Sequence, residues 1–152
     1  MLNLEINENP KNLFKVALLH EEIFANTLLS KNKNELVKEW EELISNEGTI
    51  LTVDAEEFDY PFAFAVLKKD NNNLLIDSLG VKNNFRKQGV WGYLFHFIEF
   101  YCEKNNIKNL EIKNIPTIFP EMDKFIQANN FNEKEKVELG SGNFLITFIK
   151  EV

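Results

Sequence analysis

The stretch LLIDSLGVKNNFRKQGVWGYLFHFIEFY, from Leu74 to Tyr101, decides how the chain is read. It begins as an apolar strand, passes through a short polar loop and continues as a long apolar helix. The loop, Asn83-Asn84-Phe85-Arg86-Lys87-Gln88-Gly89, leads into a helix N-terminus. There the first amides have no intrahelical partner and the macrodipole adds about half a positive charge. Arg86 and Lys87 bring two full charges to the same place. Such a turn binds phosphate oxygens. The alternative is an ordinary strand-to-helix turn with solvated basic residues.

Period and punctuation give the remaining elements. Leu2, Leu4 and Ile6 alternate as in a first strand. Asn9-Pro10 offers a cap and a first-turn proline for a helix carrying Leu13, Val16, Ala17, Phe24 and Thr27 on one face, with His20 on that face too. A second helix carries Leu36, Val37, Trp40, Leu43 and Ile44 and stops at Gly48. TILTVDA, FAFAVLKK and NLLIDSLGV then read as three strands, the last two joined through Asp70-Asn71-Asn72-Asn73. After the long helix come a strand within 107–115, a short helix from Pro120 and a hairpin turning at Gly140-Ser141-Gly142. The order is β-αα-βββ-α-β-α-ββ, with no internal repeat, low-complexity tract or linker.

The 152 residues suit one domain spanning 1–152. Apolar residues make up 44% and charged ones 27%, a globular balance. No apolar run is long enough to span a membrane, and the N-terminus lacks the pattern of a signal peptide. The single cysteine, Cys102, cannot form an internal disulfide and fits a reducing cytoplasm. A net charge of −7 argues against a nucleic-acid partner and mildly favours attraction of a cationic amine. The two histidines and one cysteine show no metal-ligand spacing. The composition leaves a homodimer open.

The run V-x-x-x-x-R-x-x-G between Val81 and Gly89 resembles the acyl-CoA-binding signature of the GNAT superfamily of N-acetyltransferases. In that family an Arg or Gln is followed by x-x-G-x-G/A. IDSLGV resembles the family's preceding strand, I-E-x-L-x-V, and the element order is also the family's. The resemblance implies an α+β fold with a mixed, mostly antiparallel central sheet and helices on both faces. It implies acetyl-CoA as cosubstrate, bound by Leu79, Gly80 and Val81 on the strand and by Arg86, Lys87, Gln88, Gly89, Val90, Trp91 and Gly92 in the loop and first helical turn. Trp91 departs from the pattern, standing where a small residue is usual.

The activity implied is direct transfer of an acetyl group to a primary amine of a small molecule or peptide. The amine must lose a proton, the oxyanion needs a donor and the departing thiolate can take a proton. Asp77 stands where family members often carry a Glu, so it is the candidate base. A carboxylate of ordinary pKa, about 4, is a poor base unless burial raises it, and a solvent-facing strand Asp is the plainer reading. Glu111 on the neighbouring strand is a weaker candidate of the same kind. The family's Tyr in F-Y-x-x-x-G-F is replaced here, since FIQANNF puts Ile126 at that position. Tyr60 and Ser78 are the substitutes by location. A covalent route through Cys102 is disfavoured because His96 points elsewhere on the same helix, and His20 reads first as a packing residue. Phe58, Tyr60, Phe62, Phe119 and Phe125 are candidates to line an aromatic acceptor pocket, with core packing as the alternative. The rival function is a CoA-binding sensor or interaction module without catalysis; an unrelated ligand-binding domain is the third.

Overall fold

The computed structural model describes residues 4–86 and 89–152. Its elements are β1 (Leu4–Glu8), α1 (Leu13–Phe24), α2 (Lys33–Ser45), β2 (Thr49–Ala55), β3 (Ala63–Asp70), β4 (Asn73–Val81), a 3-10 turn (Asn83–Phe85), α3 (Val90–Lys104), β5 (Asn109–Asn114), α4 (Pro120–Ala128), β6 (Asn132–Gly140) and β7 (Asn143–Glu151). The order is the one that the sequence predicts. The strands form one sheet among the described residues, arranged β1-β2-β3-β4-β5-β7-β6. β4 and β5 run parallel, and the other neighbouring pairs are antiparallel.

Both faces of the central strands are covered, which follows from the two-residue period of a strand. Leu51 and Val53 of β2 and Ala63, Ala65 and Leu67 of β3 join the cluster that holds α3 and α4. Ile50, Phe64 and Val66, one residue out of phase with them, join the cluster that holds α1 and α2. On α3 the buried stripe is Val90, Leu94, Phe95, Ile98 and Cys102, while Tyr93 and Phe100 face solvent. Helices thus lie on both faces.

One end differs from the sequence reading. Asn9 does not start the first helix. Its backbone is left-handed (φ 48°), its N–H donates to the Ile50 carbonyl at 2.7 Å and its Oδ1 accepts from the Ile50 N–H at 2.8 Å. Those bonds continue the β1–β2 ladder past Glu8. Asn12 is the cap instead, accepting from the Lys15 N–H. Thr27 likewise lies beyond α1, where its hydroxyl donates to the Phe24 carbonyl. Leu2 lies outside the described residues.

The feature that positions the site is an irregularity in β4. Val66 of β3 pairs with Ser78, but the next residue, Leu67, pairs with Ile76, so Asp77 is an extra residue in β4. Such a bulge bends its strand and increases the local twist. On the opposite edge of β4 the pairing with β5 runs from Asn73↔Asn109 to Ile76↔Ile112 and goes no further. The bulge and the end of the parallel ladder coincide.

Candidate active site

Beyond Ile76 the diverging strands enclose a cavity of about 480 Å³. Asp77 to Val81 of β4 form one wall and Ile112 to Asn114 of β5 the other. The segment from Ile118 to Met122 closes one side, and α1 and α2 close another through His20, Phe24 and Trp40. From Asp77 to Gly80 the strand edge towards β5 has no strand partner among the described residues, so the polar backbone groups on that edge are open to a ligand.

Of the described residues of the basic loop, Arg86 lines this cleft. Lys82 donates its N–H to the Phe62 carbonyl at 2.7 Å, and the Phe85 ring stacks on Phe62 with centroids 4.4 Å apart. Arg86 Nε donates to the Val81 carbonyl at 3.0 Å. The guanidinium is thereby tied to the end of β4, and the rest of its donor fork suits an anion. Gly89 caps α3 with φ 75°, a conformation that side chains with a Cβ resist. A Cβ there would meet no atom within 4 Å, so the requirement is backbone geometry rather than space. Gly80 is constrained differently. A Cβ on it would come within 2.9 Å of Ile23 and of Phe64, so its absence lets α1 approach β4.

The predicted cofactor residues therefore divide. Leu79, Gly80, Val81, Arg86 and Trp91 line the cleft. Val90 is buried in the core (1% exposed), which leaves only its main chain for a ligand. Gly92 lies in the first turns of α3. Lys87 and Gln88 lie outside the described residues. Trp91 packs edge-on against Phe125 with centroids 6.0 Å apart, and its buried Nε1 has no hydrogen-bond partner among the described residues. A buried donor left unpaired costs about 1–3 kcal/mol, a cost that an acceptor would remove.

Among the candidate bases, Asp77 lines the cleft and Glu111 does not. Asp77 is partly exposed (31% of its side chain) and forms an ion pair with Lys68 Nζ at 3.5 Å. Glu111 bonds Lys134 instead. Ser78 lines the cavity, whereas Tyr60 is exposed beneath Lys15. Ile126 is fully buried in the core. Cys102 is buried too, and burial first and Glu99 second push its thiol up to about 11. No group of three or more His, Cys, Asp and Glu is placed to hold a metal among the described residues.

Of the aromatic candidates only Phe119 reaches the cleft. Phe58 and Phe62 pack around Phe85, and Phe125 packs on Trp91 and Phe95. The aromatic wall comes instead from α1 and α2. His20 (4% exposed) lies 4.5 Å from Phe24 and 6.2 Å from Trp40 between ring centroids, and Phe24 meets Phe119 at 5.4 Å. Burial, and secondarily Lys31, lowers the His20 pKa to about 4, so the ring is neutral near pH 7. Its Nδ1 also lacks a partner among the described residues. The signal in the sequence was the i, i+4 spacing of His20 and Phe24 on the apolar face of α1. Asn114 was not singled out by sequence. It is 4% exposed, lines the cleft and donates from Nδ2 to the Phe119 carbonyl at 3.2 Å, holding the approach to α4 against β5.

No protein-family model and no curated protein sequence matches the chain. Solved structures do match in fold. The ribosomal-protein-S18-alanine N-acetyltransferase from Escherichia coli superposes with a TM-score of 0.80 at 12% identity, over 98% of this chain and 94% of that one. An acetyltransferase of the GNAT family from Staphylococcus aureus gives 0.77 at 16% identity, over 98% and 99%. A Salmonella typhimurium structure with its cofactor acetyl-CoA gives 0.75 at 8% identity, over 97% and 93%. The chain has the fold of the GNAT acetyltransferases. At these identities the likeness is one of architecture.

Proposed function

We propose that the protein is an acyl-CoA-dependent N-acetyltransferase that moves an acetyl group from acetyl-CoA to a primary amine of a small molecule or peptide. The observation that carries this reading is the cleft opened at Ile76↔Ile112, with Arg86 in its lining. Its residues fit the cosubstrate in kind. The β4 edge from Asp77 to Gly80 matches an amide-bearing arm, Arg86 and the first amides of α3 match a pyrophosphate, and the Trp91 N–H, without a partner among the described residues, matches a carbonyl. Acetyl-CoA supplies an activated thioester acyl group when bound.

The remaining tasks fall to the chain itself. The β4 edge and the indole N–H offer fixed donors of the kind that stabilise a developing oxyanion. Asp77 accepts the proton of the incoming amine, directly or through water, from its place on the bulge. Ile126 offers no hydroxyl, so the thiolate leaves without help from that position. A thiol of ordinary pKa, about 8.5, is a fair leaving group. Peptide acceptors are in keeping with the fold match to an enzyme named for a ribosomal protein's alanine.

A second reading keeps cofactor binding and drops catalysis. It is favoured by the buried Ile126 and by the Trp91 indole in the cleft. Thiol release across a panel of amines separates the two once cofactor binding is established. Turnover on any amine supports the enzyme, and binding without turnover supports a CoA-responsive module.

A further inference from the structure

The cleft has a second end that acetyl transfer to an unspecified amine leaves unexplained. Beyond Asp77, towards α1 and α2, its wall is made by His20, Phe24, Leu36, Trp40 and Phe119. These are flat or apolar surfaces, and His20 alone among them carries a side chain able both to accept and to donate in its neutral form, since the indole of Trp40 only donates. The imidazole is 4% exposed, packed against Phe24 at 4.5 Å and Phe64 at 5.7 Å, and its Nδ1 has no hydrogen-bond partner among the described residues. Lys31 and Glu39 nearby are paired with each other at 3.4 Å and are more than half exposed, so this pair adds no net charge to the rim.

We propose that this end of the cleft is an acceptor subsite for arylalkylamines bearing a neutral hydrogen-bonding group, with the ring held among Phe24, Trp40 and Phe119 and the polar group bonded to the imidazole of His20. The inference rests on the acetyltransferase reading for the placement of the amine beside Asp77, and it names the body attached to that amine. Aromatic rings prefer edge-to-face or offset contacts with one another, which a box of differently tilted rings supplies. A buried polar group built to bond a substrate hydroxyl discriminates against the analogue without it, because the protein group is then left unpaired. His20 is thus a specificity-determining residue.

The test uses the full chain and three amines: tyramine, phenethylamine, which lacks the hydroxyl, and spermidine, which lacks the ring. Tyramine is expected to exceed phenethylamine in kcat/KM by at least about fivefold, with spermidine lowest. His20→Phe should bring the tyramine-to-phenethylamine ratio to about one; His20→Gln, which keeps a donor and an acceptor, should retain part of it and covers the case in which His20→Phe does not fold. Independently, tyramine should shift the imidazole nitrogen resonances of His20 in the wild-type protein, with or without acetyl-CoA. A shift without any acetyl-CoA binding would keep the subsite and reject acetyl transfer. Acetyl-CoA binding with unmoved His20 resonances, or a preference for spermidine, would overturn the subsite and leave acetyl transfer standing.

Discussion

Ile76 of β4 lies opposite Ile112 of β5, and this is the last pair of the only parallel ladder among the described residues. Both side chains are buried at 2% exposure or less, so the ladder ends on a firmly packed pair rather than by fraying. One residue later Asp77 bulges from β4 on the side of β3. A carboxylate is thereby delivered to the point where the cleft begins.

That placement gives the first prediction. Asp77→Asn keeps the size of the side chain and removes its ability to take a proton. A positioned general base contributes about 10²–10⁴-fold, so turnover on an amine should fall by at least tenfold while acetyl-CoA affinity stays the same. Steady-state kinetics beside calorimetry checks both parts. Unchanged turnover would remove Asp77 from the mechanism.

Gly89 gives a stability prediction. Its φ of 75° is unfavourable for an L-residue by about 1–2 kcal/mol, and nothing near it would compensate a new methyl group. Gly89→Ala should lower the Tm by about 2–8 °C in a chain of this size. An unchanged melting curve would mean that the turn relaxes into another backbone conformation.

His20 predicts a pH dependence of stability. Its folded pKa is lowered to about 4 from 6.5, by burial first and Lys31 second. Between those values the unfolded imidazole binds a proton that the folded one refuses. Stability therefore rises with pH across that window and is lost as pH falls through it. The contribution is on the order of 3 kcal/mol between the two limits. Urea denaturation over this range should show the slope in wild type and a shallower one in His20→Phe; equal slopes would contradict a neutral buried ring.

Cys102 predicts an absence of chemistry. Its thiol is fully buried and pushed up to about 11, so at pH 8 it stays protonated and shielded. A thiol reagent should label it only on unfolding, and Cys102→Ala should retain turnover within about twofold while losing a little stability. Loss of turnover in a folded Cys102→Ala protein would revive a covalent route.

The order of elements was legible because period and turn chemistry agree along most of the chain. The run NLLIDSLGV coincides with β4, Asn73–Val81, and Asn71, at φ 54°, makes the predicted turn. Asn9 misled for a physical reason: one side chain can cap a helix or extend a ladder, and the Ile50 main chain decided between them. The bulge at Asp77 left no mark in sequence, since no glycine or proline announces it and it exists only relative to β3. The aromatic wall was misassigned for a related reason. Phe58, Phe62 and Phe125 have the right composition, but only the packing of α1 and α2 over the sheet brings Phe24 and Trp40 to the cleft. Residue type indicated the chemistry, and three-dimensional packing chose the residues.

The most direct test of the central claim is a calorimetric titration of acetyl-CoA into the wild-type protein and into Arg86→Glu. Arg86 is tied to Val81 at the end of β4, so reversing its charge should act in the cleft rather than on the core. Saturable binding to the wild type is expected, with at least a tenfold weaker Kd in the variant, about 1.4 kcal/mol. No binding at millimolar acetyl-CoA, or the same Kd in both proteins, would contradict it.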